Sequence, residues 1–74
     1  MRRNDKEINK AIKDLENKRE GSMGAYRASK KIEALQECLE LDEEEIQNKA
    51  DALADSDYEL YAVYDWAIEG RDNF

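Results

Sequence analysis

The chain has 74 residues, 12 basic against 19 acidic, no histidine and one cysteine, for a net charge of −7. That length makes one domain. Leu, Ile, Val and Phe number 13, under a fifth of the chain, and a core this small supplies at most about 3–5 kcal/mol. A lone Cys38 excludes an internal disulfide, and the lack of any Cys/His cluster excludes structural zinc, so burial borrowed from a partner or from a second copy is the expected staple.

No apolar run reaches the length of a signal-peptide core or a membrane span, and an unpaired cysteine fits a reducing compartment. The expected location is the cytoplasm. The charge is polarised. Residues 1–31 carry ten basic and five acidic side chains, net +5, whereas residues 32–74 carry two basic and fourteen acidic, net −12.

Strand signals are nearly absent, proline is missing, and helical periodicity dominates. The first predicted helix runs from Asp5 to about Arg19. Asn4 is its N-cap, Glu7 completes a capping box, and Ile8, Ala11, Ile12 and Leu15 form its apolar stripe. Gly21-Ser22-Met23-Gly24 then interrupts the pattern, at roughly 1 kcal/mol of helix propensity per glycine. Beyond it Ala25, Ala28, Ile32, Leu35 and Leu39 form a seam out of phase with the first stripe, which predicts an antiparallel hairpin rather than one continuous rod. In that hairpin Leu15 meets Ala28, Ile12 meets Ile32 or Leu35, Ile8 meets Leu39, and Arg2, Arg3 and Lys6 lie near Glu37, Glu40 and Asp42.

The third helix announces itself in Leu41-Asp42-Glu43-Glu44-Glu45-Ile46. Asp42 caps, Glu45 closes the box, Leu41 and Ile46 form a hydrophobic staple, and Glu43 and Glu44 fall where the helix dipole favours negative charge by about 0.3–1 kcal/mol each. This helix is expected to end near Ala54. Ser56 is the expected N-cap of the fourth, which runs to about Glu69 with Gly70 as its left-handed stop. Leu60, Tyr61, Val63, Tyr64, Ala67 and Ile68 span one broad face, with Tyr58 and Trp66 on the flanks, and Arg71-Asp72-Asn73-Phe74 is expected to fray. The predicted fold is all-α: one domain over residues 1–74, a basic and mixed helical hairpin to residue 40, then two shorter acidic, aromatic helices, packed as a small bundle.

Motifs that carry chemistry are missing. Without histidine there is no His-based triad or Cys–His pair, and Gly21-x-x-Gly24 lacks the Lys-Ser/Thr of a phosphate loop. Asp55-x-Asp57-x-Glu59 imitates the start of a calcium loop, but the sixth and twelfth positions are Leu60 and Trp66 instead of glycine and glutamate. No catalytic residue, cofactor or metal is expected. The ten cations of the first 31 residues form a basic half, yet an isoelectric point near 4.5 makes direct nucleic-acid binding an unfavoured reading.

What remains is the acidic back with its aromatics. Tyr and Trp are enriched at interface hot spots, and surrounding acid steers a basic partner into contact. Tyr58, Tyr61, Trp66 and Glu69 are the expected contacts, with Asp57, Glu59 and Asp65 as steering charge. The expected function is a non-catalytic interaction module, an inhibitor or adaptor docking on a basic surface of a larger protein that itself processes nucleic acid. The alternatives are a homo-oligomeric helical module and a nucleic-acid-associated regulator using the basic hairpin. In size, acidity and lack of catalytic motifs the chain resembles small accessory proteins of mobile elements, such as phage-encoded inhibitors of host machinery. That resemblance implies action on a host protein.

Overall fold

Asn4 accepts the Glu7 backbone N–H on its side-chain oxygen at 2.8 Å and starts α1, Asp5–Asn17. In this computed structural model, which describes residues 1–18 and 22–74, three further helices follow: α2, Ser22–Cys38; α3, Glu43–Leu53; and α4, Tyr58–Ala67. No strand occurs among the described residues. The fold is a small all-α bundle whose helix count and arrangement follow the sequence pattern. Of the expected turn at Gly21-Ser22-Met23-Gly24, Gly21 lies outside the described residues, as does the expected helix end at Arg19, while Ser22 to Gly24 are already helical.

α2 packs against both α1 and α4, and α3 packs against α4. The first pair is antiparallel, because Arg2 Nη1 at the start of α1 donates to the Cys38 carbonyl at the end of α2, 2.7 Å away. Ile8 and Ile12 of α1 join Ile32, Ala34, Leu35 and Cys38 of α2 in one buried cluster, against which Leu15 and Leu39 pack. α3 adds Ile46 and Ala50, and α4 adds Val63, Tyr64, Trp66 and Ala67. Burying each Ile or Leu fully contributes about 1.5–3 kcal/mol. Ala34, Ala50 and Ala67 keep the helix surfaces low where they meet. Among the described residues no charged or polar residue is buried, and no buried side-chain nitrogen or oxygen lacks a partner.

α3 and α4 are separate helices. Both Ser56 and Asp57 donate their backbone N–H to the Leu53 carbonyl, which closes the turn between them. The capping box of α3 forms as its spacing predicts, with Asp42 Oδ1 accepting from Glu45 N at 2.9 Å. α4 differs from expectation at both ends. Asp57, not Ser56, is the N-cap: its Oδ1 accepts from Leu60 N at 3.2 Å, while the Ser56 hydroxyl turns back to the Ala52 carbonyl. Asp57 wins because its second oxygen meets Lys30 Nζ at 3.1 Å, a partner from α2 that local sequence does not show.

At the other end the left-handed residue is Glu69, with φ 62°, not Gly70. Glu69 N donates to Trp66 O and Gly70 N to Asp65 O, the two bonds of a Schellman cap. Gly70 is needed for a different reason. A Cβ there would strike Asp65 Oδ1 and stand 2.8 Å from its Cγ and 2.9 Å from its carbonyl oxygen.

Two further expectations change. Arg2 reaches the end of α2 beside Glu37, as expected, but its ion pair is with Asp5, and Arg3 pairs with Glu7 in the first turn of α1. Arg3 also crosses to α4, where its backbone N–H donates to the Ala67 carbonyl at 2.7 Å. The 71–74 segment does not fray: Phe74 packs edge-on against Trp66 at 5.1 Å, and Arg3 Nη2 donates to the Arg71 carbonyl at 2.9 Å. No described helix is long and apolar enough to cross a membrane.

Candidate protein-docking surface

The residues expected to form a docking patch divide between the surface and the interior. Trp66 is 8% exposed and belongs to the core. Its indole is roofed by the Arg3 guanidinium at 4.5 Å, and Arg3 Nε donates to the Trp66 carbonyl at 2.7 Å. The flank of α4 that the helical wheel leaves open is thus covered by Arg3, 63 positions away in sequence, and by Phe74, so Trp66 is unavailable as a first contact.

Tyr58 stays outside, 65% exposed, in the first turn of α4. Tyr61, one turn on, is half-buried, and the two rings lie 5.8 Å apart. Asp57 is held low in pKa, first by the Leu60 backbone N–H and then by Lys30, whose own pKa is raised chiefly by that same hydrogen bond. Glu59 faces Arg27 of α2 at 3.6 Å. These two ion pairs draw in a residue that the sequence pattern passes over. Tyr26 of α2 is 67% exposed, with the Lys30 ammonium 5.7 Å from its ring centre. Tyr26 and Tyr58 therefore flank a strip of ion pairs where α2 meets the start of α4. The i,i+4 spacing of Tyr26 and Lys30 is the one local signal that points to it.

At the far end of the patch Asp65 binds Arg71, Nε to Oδ2, at 3.0 Å. The same guanidinium lies 5.6 Å from the ring centres of both Tyr58 and Tyr61, and its Nη2 reaches the Tyr58 hydroxyl at 3.5 Å. The Tyr58 and Asp65 contacts hold the Arg71 pKa above its ordinary value. Glu69 is exposed beyond this cluster and takes no part in it. The structure thus brings Asp57, Tyr58, Glu59, Tyr61 and Asp65 together, adds Tyr26, Arg27, Lys30 and Arg71, and leaves Trp66 and Glu69 apart. No family model, curated protein or solved structure matches this chain.

A second exposed region is more acidic. Glu33, Gln36, Glu37 and Glu40 line a shallow depression of about 370 Å³ along the outer face of α2. Glu37 is tied there by the Tyr64 hydroxyl at 2.8 Å and by Lys49 at 3.3 Å, and its pKa is lowered, mainly by the tyrosine. Cys38, next in sequence, faces inward, and burial pushes its thiol up to about 12, so it is held as an inert neutral group. Among the described residues no three potential ligands converge as a metal site would require.

Proposed function

We propose that this chain is a non-catalytic protein-interaction module that docks its tyrosine-bearing, acidic face on a basic surface of a larger protein, inhibiting or adapting it. The observation that carries this reading is Tyr58. It is a large aromatic side chain left mostly in solvent, between Asp57 and Glu59 in sequence and touched by the Arg71 that binds Asp65, on a helix whose other large apolar side chains are buried or half-buried. An aromatic anchor inside a charged rim is the arrangement of an interface hot spot, and an excess of fourteen acids over two cations in residues 32–74 favours encounter with a basic partner. The resemblance to phage-encoded inhibitors supports a host nucleic-acid-processing protein as that partner and the host cytoplasm as the location.

Capture from lysate of the source cell tests this, comparing wild type with Tyr58→Ala. Trp66→Ala is the wrong variant, because it opens the core. The wild type is expected to retain specific proteins that are lost both with Tyr58→Ala and in high salt. Identical sets of retained proteins in all three conditions would remove the reading.

One observation favours a second reading. Lys6, Lys10 and Lys13 are exposed on the face of α1 opposite Ile8 and Ile12, a lysine stripe of the kind that contacts phosphates. A gel shift with mixed-sequence DNA and RNA at low salt decides it, since electrostatic binding is strongest there. The homo-oligomeric alternative has the weakest support, because the apolar stripes that two copies would share are already packed within one chain.

A further inference from the structure

The contact between Arg71 and α4 has the chemistry of a ligand in its site. Two tyrosine rings lie within cation–π range of one guanidinium, both at 5.6 Å. Asp65 supplies a carboxylate 3.0 Å from Nε, and the Tyr58 hydroxyl stands 3.5 Å from Nη2. Aromatic faces plus a carboxylate suit a planar, delocalised cation, and suit it better than the compact, strongly hydrated ammonium of lysine.

The arrangement is built by the backbone. The i,i+3 spacing of Tyr58 and Tyr61 puts both rings on one side of α4, and the close pass of Gly70 over Asp65 returns the chain so that residue 71 reaches that side. Arg71 itself is a replaceable occupant. Its side chain is 29% exposed. Its segment is anchored by other means, the Arg3 bond to the Arg71 carbonyl and the packing of Phe74 on Trp66.

We propose that Tyr58, Tyr61 and Asp65 form a guanidinium-binding cage, filled by Arg71 in the free protein and by an arginine side chain of the partner in the complex. This rests on the docking reading above for the existence of a partner, and it names the partner's chemistry at that face. Arg71 holds the rings and the carboxylate in place until exchange, so docking replaces one cation–carboxylate contact by another instead of stripping a bare acid of water.

The test empties the cage and refills it. N-acetyl-arginine methylamide and its lysine counterpart are titrated into wild type, Arg71→Ala and Arg71→Ala/Tyr58→Leu, with NMR shifts of the tyrosine rings as the readout. The Ile46 and Val63 methyl signals confirm the fold, and Arg71→Gln takes the place of Arg71→Ala if the shorter side chain destabilises it. The expected result is saturable shifts of Tyr58 and Tyr61 in Arg71→Ala with the arginine ligand. Binding is expected to be at least threefold weaker for lysine, severalfold weaker in wild type, and absent in the double variant. A folded Arg71→Ala protein with no saturable ring shifts, or with equal response to both ligands, overturns the proposal. Because the probe is a small molecule, that failure leaves the lysate result standing, and an empty lysate capture leaves the cage standing.

Discussion

Glu69 occupies the left-handed position of the α4 cap, where glycine is the usual residue, and the glycine follows one place later. Holding a side chain there costs about 1 kcal/mol. Glu69→Gly is therefore expected to stabilise the protein by up to that amount, raising the melting temperature by several degrees in a domain of this size. Gly70→Ala is expected to do the reverse, because its Cβ enters the space of Asp65 and displaces the Arg71 contact. Thermal melts of the two variants check both signs. Gly70 is readable in the sequence as the end of α4, but its reason is not. The sequence suggests glycine for its backbone freedom, whereas the structure needs it for a close approach to a carboxylate five residues earlier. Arg71 is harder still to read, since nothing in an isolated Arg-Asp-Asn-Phe segment says that its guanidinium returns to two tyrosines.

At the scale of elements, the helices and their phases follow from apolar spacing, and the α3 start follows from its capping box. Tertiary partners redirect the rest. Lys30 moves the α4 cap to Asp57, and Arg3 turns the flank carrying Trp66 into interior. Tyr64 and Glu37 tie α4 to α2 through one hydrogen bond whose two ends titrate in opposite regions. Glu37 is lowered from its ordinary value, so its contribution is present above the ordinary carboxylate range and fades as pH falls through the depressed value. Tyr64 is raised, by burial first and by Glu37 second, so its contribution is intact below about pH 10 and fades as pH rises beyond that. Tyr64→Phe is expected to cost about 1 kcal/mol at neutral pH, discounted because the carboxylate is exposed, and to flatten both limbs of the stability profile. Urea midpoints across pH 3 to 11 measure it. Unchanged limbs would show that the bond carries no linkage.

The whole molecule closes on itself more fully than its composition suggests. Its radius of gyration is 11.6 Å, against about 11 Å for a compact chain of this length. Thirteen Leu, Ile, Val and Phe residues are few, but alanines, tyrosines, one cysteine and the tryptophan complete the core. A count of aliphatic residues misses these because their burial depends on which helices meet. The isolated chain is accordingly expected to sediment as a monomer at low micromolar concentration and to melt in one cooperative step, with Trp66 emission shielded from acrylamide until the melt. Quenching of the native indole as efficient as that of free tryptophan would contradict the burial described for it.

The Arg3 clasp also carries a kinetic meaning. α1 with α2, and α3 with α4, are neighbours along the chain and meet through short loops, so each pair has little loop entropy to overcome. The bonds from Arg3 to Trp66 and Arg71 span 63 and 68 residues and must wait until both pairs have docked. What forms last opens first. In amide hydrogen exchange, the Arg3 N–H bound to Ala67 belongs to the earliest unit to release its proton, well before Leu35 or Val63. That opening is local: it frees the Arg3 backbone, while the indole stays packed against Phe74 and the core until the helices part.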